Sequence, residues 1–159
     1  MSHAIISSGK DFENWYLRLI RKAKSEIWIS TFRFENPLNK KSKVLDKLFF
    51  ELKQATMRKV KVRVLMNLYD EKIRAGQVNK KTVRELSRLG IECRRPQGNI
   101  CNHAKLLLVD REELIVGSHN LTRHSFGPNF EVSIYYRGCI MNEQIREIFT
   151  DAWNSFISL

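Results

Sequence analysis

Apolar positions along the chain alternate between a two-residue and a 3.6-residue period, strand against helix. Residues 4–6 form a short apolar run that stops at Ser7-Ser8-Gly9, a strand followed by a turn. Phe12, Trp15, Tyr16, Leu19 and Ile20 then recur at i, i+3, i+4, i+7 and i+8, which predicts a helix with one buried face and Asp11 as its N-cap. Helical spacing assigns these aromatics to core packing rather than to a base-stacking platform. Residues 27–34 are rich in β-branched and aromatic side chains and predict a strand, broken by Asn36-Pro37. Lys40, Lys41 and Lys43 lead into a second helix with Val44, Leu45, Leu48, Phe49 and Leu52 inside, and residues 60–66 alternate as the next strand. Two strands joined by a helical crossover imply a parallel pair with a right-handed connection.

Residues 68–82 are polar, include Gly76 and carry no clear period, which reads as a mobile loop. Val83, Leu86 and Leu89 mark a short helix capped by Gly90, and residues 91–93 mark another strand. Leu106-Leu107-Leu108-Val109 is a continuous apolar run, the pattern of a strand covered on both faces. After the charged turn Arg111-Glu112-Glu113 comes a second apolar run, Leu114-Ile115-Val116. A loop over 121–128, a strand over 130–136 and a closing helix with Ile145, Ile148, Phe149, Ala152, Trp153 and Phe156 on one face complete the chain. With no internal repeat, low-complexity segment or linker, the expected architecture is a single α/β domain over residues 1–159. Its central sheet is expected to be mixed and mostly parallel, with helices on both faces.

Polar groups stand where a buried hairpin should have none. His103 and Lys105 precede the first apolar run two residues apart, so their side chains project to one side. Ser118 and Asn120 follow Gly117 with the same spacing and share a face if the chain stays extended. Pairing the two runs brings a nucleophile or acid/base, a fixed positive charge and neutral donors to one end of the hairpin, which is what a phosphate group asks of a site. The plainer alternative is a core histidine and a snorkelling lysine on an ordinary hairpin. Asp110 closes the strand at the other end, and at roughly 3.3 Å per residue it cannot easily reach the phosphate that Lys105 would hold. It reads as a structural residue, pairing within or near the turn.

The charge balance narrows the choice of partner. A net charge of +11, from 28 Lys and Arg against 17 Asp and Glu, favours polyanions, nucleic acid before an acidic membrane surface. A generally basic protein without such a partner is the alternative. Between Lys72 and Arg95 there are eight basic residues against Glu85 and Glu92 alone, either a solvated charged face or a grip on a polyanion. Arg94 and Arg95 in this run, and Arg123 and His124 beyond the hairpin, are candidate substrate contacts, with a surface-loop role equally open for the last two. Cys93, Cys101 and Cys139 are odd in number and irregular in spacing, which suggests reduced thiols in a cytoplasmic setting. Together with His119 and His124 they lack the paired spacings of zinc sites, so no metal is expected. The first nine residues lack the apolar core of a signal peptide, and no run approaches the length of a membrane span.

The spacing His103-x-Lys105-x4-Asp110-x6-Gly117-Ser118-x-Asn120 resembles the signature of the phospholipase D superfamily, with every defined position filled. Residues 25–32 look like that family's first core strand. Ala55, Arg58, Val60 and Val62 look like its A-x-x-R-G-V-x-V element, with Lys59 in place of the glycine. Leu89-Gly90-Ile91 matches too, and Asn129-x-Glu131 is similar to an N-x-E element of the small single-motif nucleases. The resemblance implies phosphodiester cleavage without metal or cofactor. Since the reaction needs two histidines and one signature is present, it further implies a homodimer with the site across its interface. His103 of one subunit would attack phosphorus to form a phosphohistidine. His103 of the other would protonate the leaving oxygen and then activate water. Lys105, Asn120 and Ser118 would bind the phosphate oxygens, Glu131 would hold the His103 ring by its other nitrogen, and Asp110 and Gly117 would serve the motif structurally.

The superfamily acts on lipids and on nucleic acids. Charge, small size and the lack of a membrane segment favour a sequence-nonspecific endonuclease, on DNA first and RNA second. A lipid phosphodiesterase would want an exposed apolar surface beside the site, and none is evident in sequence. A nucleic-acid-binding module without catalysis is the remaining rival, and the intact His103, Lys105, Ser118 and Asn120 argue against it.

Overall fold

The computed structural model describes residues 2–39, 42–68 and 74–159; Lys40, Lys41 and the 69–73 part of the expected loop, Lys72 included, lie outside the described residues. In chain order the elements are β1 (Ser2–Ile6), α1 (Gly9–Lys22), β2 (Glu26–Thr31), α2 (Lys43–Met57), β3 (Lys61–Met66), α3 (Arg74–Arg88) and β4 (Glu92–Arg95). They continue as β5 (Leu106–Val109), β6 (Glu113–Gly117), β7 (Ser133–Arg137), α4 (Cys139–Ser155) and β8 (Ile157–Ser158).

One sheet takes up all of these strands in the order β1-β7-β6-β5-β2-β3-β4-β8. It is mixed, as expected, but not mostly parallel. Among the named strands only β2–β3 and β3–β4 run parallel and the other pairings are antiparallel; outside them an isolated parallel bridge joins Phe34 and Leu121. The reason is the connection after β4. Instead of a helical crossover, residues 96–105 pass along the edge of the sheet and enter β5 antiparallel to β2. A short turn over 110–112 folds β6 back on β5, and the longer loop 118–132 then returns the chain as β7, antiparallel to β6. Alternation along each strand sorts the core. Ile27, Ile29, Val62, Val64, Leu107 and Ile115 face α1, α2 and α3, while Trp28, Leu65, Leu108 and Leu114 face Phe149 and Trp153 of α4. Ile148, expected on the inner face of α4, is 64% exposed. No helix among the described residues is long and apolar enough to cross a membrane.

Of the boundaries that differ from expectation, among them β2 ending at Thr31 and β7 beginning at Ser133, two have identifiable reasons. The N-cap of α1 is Ser8 rather than Asp11: the Ser8 hydroxyl accepts from the Asp11 N–H at 3.1 Å and donates to the Asp11 carboxylate at 2.8 Å, a reciprocal capping pair. Gly9 then opens the helix where no side chain fits, since a Cβ there would lie 2.3 Å from the Phe126 carbonyl carbon. In α3, the stretch from 74 onward that reads as a loop is helical. Its buried positions there are Asn79 and Thr82, both fully buried, so no apolar period marks the inner face. Their side chains bond backbone groups instead: Asn79 with Phe32, Phe34 and Asn67, and Thr82 with Phe34.

Asp110 is structural, and its reach is longer than the turn. Its carboxylate accepts from the N–H groups of Lys24, Ser25 and Glu26 at 2.8, 2.8 and 3.0 Å and from the Ser25 hydroxyl at 2.9 Å, tying the start of β2 to the end of β5. Partial burial pushes the carboxyl pKa up, but these donors outweigh it and the net shift is downward. A carboxylate whose folded pKa lies below its unfolded value stabilises the fold above the unfolded value, near about 4, and that contribution is lost as pH falls through the folded value. Asp110→Ala is expected to cost about 3 kcal/mol, from lost charge-assisted bonds and from a left-handed backbone that alanine tolerates poorly. Asp110→Asn, which accepts this backbone (φ 51°), is expected to cost about half as much. Urea unfolding of both variants at pH 7 and pH 3 measures this, with the gap to wild type narrowing at the lower pH.

Candidate active site

The C-terminal ends of the parallel strands β2 and β3 and the start of antiparallel β5 meet at one edge of the sheet, the kind of position where open α/β sheets leave a crevice. There His103, Lys105, Gly117, Ser118, Asn120 and Glu131 line an open cleft of roughly 400 Å³. The register explains the convergence. Leu106 pairs with Val116, so Lys105, just before β5, lies opposite Gly117; Gly117 pairs with Ser133, which brings Glu131 and Val132 beside Ser118.

His103 is exposed, its ring 5.2 Å from that of Phe32, and its imidazole makes no hydrogen bond among the described residues. Lys105 is only 9% exposed; its ammonium lies 5.6 Å from the Phe32 ring and donates to the His103 carbonyl at 2.6 Å. Burial lowers the Lys105 pKa, while the neighbouring Cys101 and Glu131 push it back up. Asn120 is oriented by its surroundings. Its side-chain oxygen accepts from the Arg33 N–H at 3.1 Å and from the Thr31 hydroxyl at 3.3 Å, which leaves the amide nitrogen for the cleft. Gly117 has to be glycine here, because a Cβ would fall 2.3 Å from the Ser133 hydroxyl and 2.4 Å from the Val132 carbonyl.

Ser118 and Glu131 form a unit of their own. The Ser118 hydroxyl donates to Glu131 and accepts from the Val132 N–H at 3.0 Å. The other Glu131 oxygen accepts from Ser125 at 3.0 Å and Asn129 at 3.2 Å. Glu131 therefore does not hold the His103 ring within the chain, because both carboxylate oxygens go to the serines and Asn129. Nor is the Ser118 proton free for a phosphate oxygen while it serves Glu131. Burial raises the Glu131 pKa, but Ser118, Asn129, Ser125 and the nearby His119 more than reverse this, and the group stays ionised beside Lys105.

Other candidates are placed elsewhere. Arg94 is a packing residue: its guanidinium lies 4.6 Å from the Trp153 ring and donates to the Trp153 carbonyl at 2.5 Å, fixing α4 to β4. Arg95 is half-buried and bonds the Pro96 carbonyl at 3.3 Å. Arg123 and His124 are exposed on the loop after Asn120 and do not line the cleft. His119, 3% exposed, stacks on Phe12 at 4.1 Å and pairs with Ser133 at 2.8 Å; burial lowers its pKa against the pull of Glu131. Among the described residues no group of three or more His, Cys, Asp or Glu side chains is placed to hold a metal ion.

Several contributors carried no sequence signal. Thr31, Arg33 and Ser125 are ordinary polar residues whose role depends on partners far along the chain. The exposed apolar surface that the sequence did not reveal is also real. Ile5, Ile134, Val116 and Leu106 are paired in register across four strands on the face shared with α4, with Ile5 74% and Ile134 49% exposed. Val132 (42%) and Phe130 (90%) extend it to the rim of the cleft.

Comparison with known proteins bears on this arrangement. The model of a family described as cardiolipin synthase, PLD-like domain, matches residues 16–153. A probable cardiolipin synthase of Bacillus subtilis, YwiE, is 26% identical over 138 residues; the match covers 84% of this chain but 26% of YwiE, so the chain spans about a quarter of that relative's length. Among solved structures, the phospholipase D family member Nuc from Salmonella typhimurium superposes with a TM-score of 0.80 at 20% identity, covering 99% of both chains. NucT from Helicobacter pylori superposes with a TM-score of 0.79 at 14% identity, again over 99% of both.

Proposed function

The chain belongs to the cardiolipin synthase, PLD-like family of the phospholipase D superfamily, and from that premise we propose that it is a phosphodiesterase that cleaves nucleic acid without a metal, as a homodimer. The observation that carries this reading is the single cleft shared by His103, Lys105, Asn120, Ser118 and Glu131. Lys105 and the Asn120 amide offset the charge of the phosphate oxygens and do so more strongly as charge builds in the transition state. The His103 imidazole attacks phosphorus and the P–O bond to the leaving group breaks, giving a phosphohistidine. The leaving oxygen takes its proton from the imidazolium of a second copy's His103. That imidazole, now neutral, removes a proton from water, which displaces the first histidine and releases the phosphate monoester.

A second copy is needed because the cleft holds one catalytic imidazole, and the exposed Ile5 and Ile134 at the outer end of the apolar row support its docking beside the site. Nucleic acid is favoured by the +11 charge. Binding would fall steeply with salt and show little preference among sequences, since phosphate contacts carry no sequence information. A second reading, cleavage or transfer at a lipid phosphodiester, is favoured by the likeness to cardiolipin synthases and by the exposed Phe130 and Ile5.

Single- and double-stranded DNA and RNA, and vesicles containing phosphatidylglycerol, are incubated with the protein in excess EDTA. Nuclease cleavage that persists in EDTA is the expected result. Reaction on the vesicles alone would replace nucleic acid with lipid as the substrate. Salt-sensitive binding to DNA or RNA without cleavage of any substrate would reduce the protein to a binding module.

A further inference from the structure

His103 rises from a stretch that has no regular structure, yet the peptide just before it is among the most firmly bonded in the molecule. Residues 96–104 cross the ends of β3 and β2 without joining the sheet, so the sheet ladder supplies no partners for the Asn102 backbone. Asn67, 2% exposed at the end of β3, supplies them. Its side-chain oxygen accepts from the Asn102 N–H at 2.8 Å and its amide nitrogen donates to the Asn102 carbonyl at 2.6 Å, as a neighbouring strand would. The Asn102 side chain is held as well, donating to the Leu65 carbonyl at 3.0 Å and accepting from the Ser30 hydroxyl at 3.0 Å. Asn79 of α3 steadies the clamp by donating to the Asn67 carbonyl at 2.8 Å. On the far side of His103, Lys105 holds the next carbonyl.

We propose that Asn67 is a positioning residue for His103, pairing both backbone groups of Asn102 so that the nucleophile projects into the cleft from a fixed peptide. The physical reason is that, among the described residues, the His103 ring makes no hydrogen bond to orient it and only lies beside the Phe32 ring. Its aim is inherited from the backbone, and a displacement of about 1 Å at a reacting group can cost on the order of 10²-fold in rate. This inference rests on the reading of His103 as the nucleophile.

The test compares Asn67→Ala, Asn67→Asp and Thr82→Val. Thr82 donates a buried bond to the Phe34 carbonyl at 2.5 Å and leaves the clamp intact, so its variant controls for lost stability alone. Asn67→Ala is expected to lower kcat about 10²-fold with KM changed less than about threefold, while Thr82→Val stays near wild type. Asn67→Asp carries its own switch: the protonated acid again offers one donor and one acceptor to Asn102, and the carboxylate offers acceptors only. Its activity relative to wild type should therefore rise as pH falls, whereas that of Asn67→Ala stays flat. Equal losses in Asn67→Ala and Thr82→Val, or a flat ratio for Asn67→Asp, would overturn the proposal.

An NMR readout keeps this separate from the functional reading. The His103 ring signal, assigned by its loss in His103→Ala, should be single and narrow in wild type and split or broadened in Asn67→Ala. That result stands even if no phosphodiester is cleaved, a failure that would count against the proposed function. An unchanged signal in Asn67→Ala would remove the clamp.

Discussion

Replacing His103 by alanine is expected to abolish the proposed phosphodiester cleavage, with a loss on the order of 10⁴ to 10⁶-fold, the scale seen when an enzyme loses its nucleophile. Substrate binding should survive, because Lys105 and the Asn120 amide remain in the cleft. The more informative form of the experiment mixes variant and wild-type chains. If one reaction needs the imidazoles of two copies, a mixed dimer is dead even though it contains a wild-type chain. With equal amounts and free exchange, the activity per wild-type chain should fall to about half. Activity that tracks the amount of wild-type chain without that penalty would show that each cleft works alone, and the shared site would have to be abandoned. Sedimentation of the wild type and of an Ile134→Asp variant adds the structural half of the argument, since a charge in the middle of the apolar row should dissociate the dimer and inactivate it together.

Lys105→Met is expected to lower kcat about 10³-fold, the upper range for removal of one preorganised transition-state donor. Part of that loss is positional, because the same ammonium holds the His103 carbonyl. The pH profile isolates the charge. Burial lowers the Lys105 pKa from its ordinary 10.5, and Glu131 acts in the opposite direction. In this reading the protonated lysine holds the phosphate, so substrate binding, measured apart from the proton transfers of the two imidazoles, should weaken on the alkaline side with a midpoint below that ordinary value. Glu131→Gln removes a negative charge that favours the protonated lysine, so the alkaline decline should move to lower pH. A decline that stays in place, or moves to higher pH, would show that Lys105 is not the group titrating there.

The two kinds of residue in this site were unequally legible. His103, Lys105, Ser118 and Asn120 could be picked out because two-residue alternation puts each pair on one side of a strand and because polar groups beside an apolar run are conspicuous. Asn102, Asn67 and Asn79 have no such pattern. They are unremarkable polar residues until the fold brings positions up to 35 residues apart within hydrogen-bond distance. The same blindness turned half of α3 into a loop: its buried face is made of Asn79 and Thr82, and a hydrophobic period cannot register a face that is buried through hydrogen bonds. Arg94 failed in the opposite direction, a basic residue beside the site whose charge is taken up by Trp153.

From its sequence alone, most of this protein's alternation of strands and helices, the hairpin of β5 and β6, and the placing of His103, Lys105, Ser118 and Asn120 at its end were determined, because each depends on neighbours a few positions away. The tertiary structure decided the rest: which strands run parallel, that Glu131 serves Ser118 rather than His103, that Asp110 caps β2 across the sheet, and that Ile5 and Ile134 join one exposed row. Those outcomes depend on strand register and on which of several equally polar groups comes within about 3 Å of a donor. Local spacing sets the face on which a side chain stands, but the partner waiting there is chosen by the fold.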